Sequence, residues 1–163
     1  MPDEISGRGF RGDDVSERTE IYTDGGCLGN PGPGAWAFVI HVSGETVQRS
    51  GFQAATTNNR MELTAVIEAL KALERGQFPA GPVEVTTDSQ YVQKGITEWI
   101  RSWQKNGWRT SAKKPVKNDD LWRTLLSLSR AREVKWHWVM GHSGNTWNET
   151  CHSLVEGEFK RNA

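Results

Sequence analysis

Three acidic side chains stand where they could do chemistry together. Asp24 follows the β-prone run Glu20 to Thr23, Asp88 follows the β-branched run Val83 to Thr87, and Glu62 lies in the first turn of an apolar helical pattern. If the two strands are parallel neighbours, both aspartates emerge at one edge of a sheet. Glu62 shares a helix face with Ala65, Val66 and Ala69, a face that should be covered rather than wet. Taken singly, each has a plainer role: Asp88 can cap the turn into Ser89 and Gln90, and Glu62 can offset a positive helix end. Taken together they repel one another, and such crowding is tolerated when a hard divalent cation neutralises it through oxygen ligands. Magnesium or manganese is the natural guest. Two such ions about 3.5–4 Å apart would activate a water and stabilise the leaving oxygen of an in-line phosphodiester displacement.

The elements that must position these groups follow from periodicity and turn chemistry. Ile21-Tyr22-Thr23 reads as a short strand broken by Asp24-Gly25-Gly26, and Gly29 to Gly34 turns the chain back. Ala35 to Val42 and Glu45 to Gln53, joined at Ser43-Gly44, complete an antiparallel meander. Asn58 or Asn59 can cap a helix running to about Glu74, because Leu63, Val66, Ile67, Leu70 and Leu73 recur at helical spacing and Gly76 ends it. Pro82 to Thr87 reads as a strand, and Gln90 to about Gln104 and Asp119 to Arg130 read as helices. Val134, Trp136 and Trp138 alternate as in a half-buried strand; Gly141 to Gly144 forms a loop, and Trp147 to Arg161 a final helix. Strands joined through helices argue for a partly parallel sheet with helices packed on it, which puts ligand chemistry at the carboxyl ends of the strands. Residues 1 to about 18, rich in Gly, Arg and Asp, are expected to form a disordered tail.

The segments Ile21 to Gly34, Thr57-Asn58-Asn59-Arg60-Met61-Glu62-Leu63, Thr87-Asp88-Ser89-Gln90-Tyr91-Val92 and Val139-Met140-Gly141-His142-Ser143-Gly144 resemble the bacterial type 1 ribonuclease H family. The resemblance runs from about Glu20 to the last helix and includes Lys114-Pro115-Val116-Lys117-Asn118. It implies an α/β ribonuclease H-like fold, a five-stranded mixed sheet with helices on both faces, and a catalytic domain over residues 19–163. It also implies metal-dependent cleavage of the RNA strand of RNA·DNA hybrids, without strong sequence specificity, to 5′-phosphate and 3′-hydroxyl products. Asp24, Glu62 and Asp88 would then be metal ligands, and His142 would shuttle a proton as product leaves.

The family's usual fourth acidic ligand is missing. Counting ten residues on from His142, its place falls to His152; Glu149, one helical turn earlier, approaches only if the register slips. A neutral imidazole can bind a metal, but it removes a negative charge and suits manganese better than magnesium. If His152 is a ligand, activity is lost below about pH 6.5, since an imidazolium cannot coordinate. If it is a spectator, the site works with three carboxylates.

Between Trp99 and Asn118 lie Arg101, Lys105, Arg109, Lys113, Lys114 and Lys117 with no acidic residue, interleaved with Trp99, Trp103 and Trp108. This suits tracking a phosphodiester backbone and resembles the family's basic handle. Equally, Trp99 and Trp103, four apart, can anchor their helix onto the core. By resemblance, Cys27, Asn30, Asn59 and Gln90 read 2′-hydroxyls in the hybrid's minor groove, and Thr57 and Asn58 seat a DNA phosphate.

Composition bounds the rest. With 20 Lys+Arg against 20 Asp+Glu, the 163-residue chain is no uniformly cationic binder, and charge-based function must be local. No bilayer-spanning run or secretion signal is visible, and Cys27 and Cys151 lack metal-ligand spacing, so a cytoplasmic monomer with reduced thiols is expected. Two other classes compete: a hybrid-binding module that has lost catalysis, and the related transposase and integrase fold group.

Overall fold

β-Branched and aromatic residues mark the strands, and their two-residue alternation sends successive side chains to opposite faces. The computed structural model describes residues 18–76, 78–141 and 145–163. Strands β1 (Thr19–Cys27), β2 (Gly32–Val42) and β3 (Glu45–Thr56) form an antiparallel meander. β4 (Val83–Thr87) pairs in parallel with β1, and β5 (Val134–Trp138) in parallel with β4, giving one five-stranded mixed sheet in the order β3-β2-β1-β4-β5. Helix α1 (Asn58–Arg75) links β3 to β4. Between β4 and β5 run α2 (Gln90–Lys94), a π-helical turn (Gly95–Trp99), α3 (Ile100–Lys105) and α4 (Asp119–Ser129). Helix α5 (Thr146–Arg161) follows β5.

Both faces of the sheet are covered, as expected. On one, Leu63, Val66, Leu70 and Leu73 of α1 and Trp122 and Leu125 of α4 bury with Phe38, Ile40, Val83 and Val85. On the other, Cys151 and Val155 of α5 pack on Ala35, Ala37 and Val39. Alternation along β2 thus divides one strand between two cores, and its alanines let α5 lie close to the sheet.

Three local expectations are corrected. Asp24-Gly25-Gly26 does not break the first strand: β1 continues to Cys27, with Asp24, Gly25 and Gly26 opposite Ala37, Trp36 and Ala35. What stops short of Asp24 is the parallel pairing with β4, whose last pair is Tyr22 with Thr86. Gly25 serves proximity rather than a turn, since a Cβ there would lie 2.5 Å from the Met61 carbonyl carbon and 2.6 Å from the Glu62 nitrogen. Secondly, Thr57 rather than Asn58 or Asn59 caps α1: its backbone is extended and its hydroxyl accepts from the Arg60 amide at 3.3 Å. Thirdly, the helix from Gln90 is interrupted by the π turn at Gly95–Trp99. Gly95 lies directly against the Trp122 ring, leaving no room for a side chain, and this contact with a residue 27 positions on has no signature in local periodicity. Of the expected tail, Arg18 is described and pairs with Glu84 (Nη1 to Oε2, 3.0 Å); residues 1–17 lie outside the described residues.

Candidate active site

Three elements deliver the carboxylates. β1 carries Asp24 past the end of its parallel pairing, β4 ends one residue before Asp88, and the close approach of Gly25 to α1 sets Glu62 beside them. One ligand oxygen from each of Asp24, Glu62 and Asp88 lies within 4.8 Å of the other two. The carboxylates are thus gathered at the edge where the sequence places them, although Asp24 reaches it from inside a strand.

Their electrostatics are unfavourable for bare anions. Glu62 is 7% exposed, and burial first, then the charges of Asp24 and Asp88, push its carboxyl well above the usual range against a bond from the Gly25 backbone. Asp24 is raised from 3.8 to about 6, by burial and then by Asp88, with the Gly25 backbone and His152 opposing. Glu62 Oε1 is buried with no hydrogen-bond partner. An orphaned buried oxygen in an all-carboxylate cluster fits a hard divalent cation, which would supply the missing partner and cancel the repulsion. Which residues would hold it follows from the same geometry: Asp24, Glu62 and Asp88.

His152 stands next to this cluster. Its Nδ1 is 3.5 Å from Asp24 Oδ2, and it is not part of the three-carboxylate group itself. α5 is held there by Cys151, whose buried thiol donates to the Tyr22 carbonyl at 3.2 Å and is pushed up in pKa by burial. Glu149, the alternative ligand, is exposed and lines a groove with Gln48, Thr150 and Ser153. His142 lies outside the described residues.

Several expected substrate contacts gather around the start of α1. Asn30 Oδ1 accepts from the Asn58 amide at 2.9 Å, tying the β1–β2 turn to Thr57 and Asn58, while the Cys27 thiol lies 3.4 Å from the Gly32 carbonyl and 3.5 Å from that of Thr56. Asn59 and Gln90 are exposed near the carboxylates' edge, Gln90 two residues after Asp88.

The arm is built on aromatic packing. Trp103 stacks at a tilt on Trp99, Trp108 and the fully buried Trp122, with centroids 6.0, 6.3 and 5.3 Å apart. Trp103 therefore anchors the arm, as the plainer reading has it, and Trp108 packs beside it, whereas Trp99 keeps 37% of its surface exposed. Lys105, Lys113 and Lys114 are exposed beyond them.

Sequence reasoning missed the arm's root. Arg60 forks onto Asp120 (Nη1 to Oδ1 3.1 Å, Nη2 to Oδ2 2.9 Å) and reaches Asn118 Oδ1 at 3.2 Å. The Tyr91 hydroxyl accepts from Asn118 Nδ2 and Trp122 Nε1 at 3.1 and 3.0 Å. These bonds join the first turn of α1 to the arm. Arg60 stood inside a recognised motif, but its partner is 60 residues away and no local pattern points to it. Arg123, 4.8 Å over the Trp108 ring, was likewise unmarked.

Comparison with known proteins places these features in context. The RNase H family profile matches residues 16–160. The chain is 54% identical over 143 residues to the ribonuclease H of Nitrosomonas eutropha, covering 85% of this chain and 88% of that one. It is 55% identical to the ribonuclease H of Alkalilimnicola ehrlichii, over 82% of this chain and 89% of that one. Among solved structures it is similar to LC9-RNase H1, described as a type 1 RNase H with the type 2 active-site motif, at 32% identity and a TM-score of 0.75, covering 90% and 75% of the two chains.

Proposed function

The chain belongs to the RNase H family and is a nuclease acting on RNA·DNA hybrids, and from that premise we propose that Asp24, Glu62 and Asp88 are the groups that make it one. The observation that carries this assignment is the meeting of three carboxylates from β1, α1 and the end of β4, with Glu62 Oε1 left without a partner in the protein. Divalent ions held there would supply water activation and charge neutralisation at the leaving oxygen, the chemistry that a cleavage to 5′-phosphate and 3′-hydroxyl ends requires. The residues of the chain hold the ions and exclude water from Glu62. Cys27, Asn30, Asn59 and Gln90 face the RNA's 2′-hydroxyls, Thr57 and Asn58 seat the DNA backbone, and Trp99 with Lys105, Lys113 and Lys114 follows it along the arm. Trp103 and Trp108 support Trp99 in that task. His142 moves the departing proton.

His152 is the finer part of the proposal. Its place beside Asp24 supports a fourth-ligand role, and its softer nitrogen favours manganese over magnesium. The protein works as a monomer in the cytoplasm; the free thiols of Cys27 and Cys151 support a reducing compartment, and no described helix is long and apolar enough to cross a membrane.

The test is cleavage of an end-labelled hybrid under titrated Mg²⁺ and Mn²⁺ by the wild type, Asp24→Asn, His152→Asp and His152→Ala. The RNA strand should be cut and the DNA strand spared, Asp24→Asn should be inactive, and His152→Asp should shift the preference toward magnesium. Identical metal dependence in the wild type and both His152 variants would remove His152 from the ligand set.

A further inference from the structure

Asp88 lies just beyond the last rung of the parallel ladder between β4 and β5, where Thr87 pairs with Trp138. The carboxylate of a residue in that place swings with any rotation of the peptide it stands on. The molecule restrains it from two sides. Within the turn, the Thr87 hydroxyl accepts from the Ser89 amide at 3.0 Å and the Ser89 hydroxyl accepts from the Val92 amide at 3.1 Å, which locks the turn to α2. From β5, the Val139 amide donates to the Thr87 carbonyl at 3.0 Å, and the Trp138 indole Nε1–H donates to the Asp88 carbonyl at 2.9 Å. Three residues further on, Gly141 comes so close that a Cβ there would lie 3.2 Å from Asp88 Oδ2.

We infer that Trp138 is a positioning residue for catalysis, its indole N–H fixing the backbone from which the Asp88 carboxylate reaches the cation site. The inference rests on the reading of Asp88 as a metal ligand given above. Burial in the larger core does not account for a tryptophan here. Val134 and Trp136, on the same face of β5, pack against the larger core, whereas Trp138 at the strand's end lies outside that cluster with 38% of its surface exposed. The ladder between β4 and β5 ends at the pair Thr87 and Trp138, one residue short of Asp88. The indole does instead what a further rung would do, with a rigid ring and a single donor. Ligand groups must be held within about 0.5 Å of productive geometry, and removing a partner that orients a metal ligand typically costs about 10–100-fold in metal affinity or activity.

The experiment deletes the donor and keeps the shape. β-(3-Benzothienyl)alanine, which has sulfur in place of the indole N–H, is incorporated at position 138, alongside Trp138→Phe and an Asp88→Asn control. Mn²⁺ affinity is measured by calorimetry without substrate, together with kcat and KM on a hybrid and the melting temperature. The benzothienyl protein should bind Mn²⁺ about tenfold more weakly, lose kcat at limiting metal and recover it at high Mn²⁺, with KM for the hybrid changed less than about twofold and melting nearly unchanged. Trp138→Phe should show the same split with a larger loss of stability. Unaltered Mn²⁺ affinity and kcat in the benzothienyl protein would overturn the positioning role. So would a raised KM with unaltered Mn²⁺ affinity, which would make Trp138 a surface for substrate. If Asp88→Asn binds Mn²⁺ and cleaves like the wild type, the ligand reading itself fails; if Asp88→Asn is inactive while the benzothienyl protein is normal, only the role of Trp138 does.

Discussion

Asp24, Glu62 and Asp88 crowd negative charge into a site where Glu62 is sealed from solvent, whereas Arg101, Lys105, Arg109, Lys113, Lys114 and Lys117 spread positive charge over an exposed arm. The first group opposes folding until a cation arrives, because desolvation and mutual repulsion both disfavour the ionised forms. The second costs little, since water screens it, and its scaffold is a stack of indoles rather than a charge network. In the rim, then, position is everything and stability is given up for it. In the arm, charge number matters more than placement, and stability resides in the aromatic residues beneath.

The sharpest contrast should come from single substitutions in the two regions. Glu62→Gln is expected to lower kcat by about 10³-fold or more, the several kcal/mol that metal-ion stabilisation of a transition state supplies, while the metal-free protein melts higher than the wild type. Equal melting temperatures in EDTA would show that the rim is not strained. Trp122→Ala should do the reverse: urea unfolding should show a loss of about 3–5 kcal/mol, typical of removing a fully buried indole, with kcat per folded molecule largely kept.

Acidity separates the regions next. In the metal-free protein Asp24 and Glu62 hold protons more tightly folded than unfolded. Their contribution is therefore full below their unfolded values and is lost as pH rises, for Asp24 through its folded value of about 6. The rise for Asp24 alone sets a ceiling of about 3 kcal/mol. Asp120, held below the usual range by the Arg60 guanidinium at the arm's root, has the opposite sign and loses its contribution as pH falls. Melting curves in EDTA from pH 7.5 down to 5 should therefore rise for the wild type and flatten in Asp24→Asn. Saturating Mg²⁺ or Mn²⁺ should flatten them as well.

The smallest effect belongs to the arm's surface. Lys113→Ala with Lys114→Ala should weaken hybrid binding uniformly across sequences and reduce the slope of log K against log salt by about 1–2, one phosphate contact per lysine. Saturated kcat should not move. A fall in kcat would mean that the arm positions the scissile bond as well as holding the substrate.

Periodicity sufficed to mark the strands, the long helix ending at Gly76 and the acidic trio, because burial on one face writes itself into alternation and into helical spacing. It misled where a residue's task depends on something distant. Gly25 looks like a strand breaker locally, yet it is the point where β1 meets the backbone of Met61 and Glu62. Trp103 looks equally like a binding surface and an anchor, and only the ring of Trp122, 19 residues on, separates the two. The helix from Gln90 looks regular until Gly95 is seen against that same ring.

What the sequence determined by itself is the chemistry available: three carboxylates, a histidine in the last helical pattern, and a neutral chain with six of its 20 Lys and Arg residues in one segment free of acidic ones. Tertiary structure decided how those groups meet. It sealed Glu62, set His152 3.5 Å from Asp24, and held the Asp88 carbonyl to an indole from an edge strand 50 residues away. Side-chain type fixes which charges a chain carries, but desolvation and distance fix what those charges do, and both arise only when remote segments pack together.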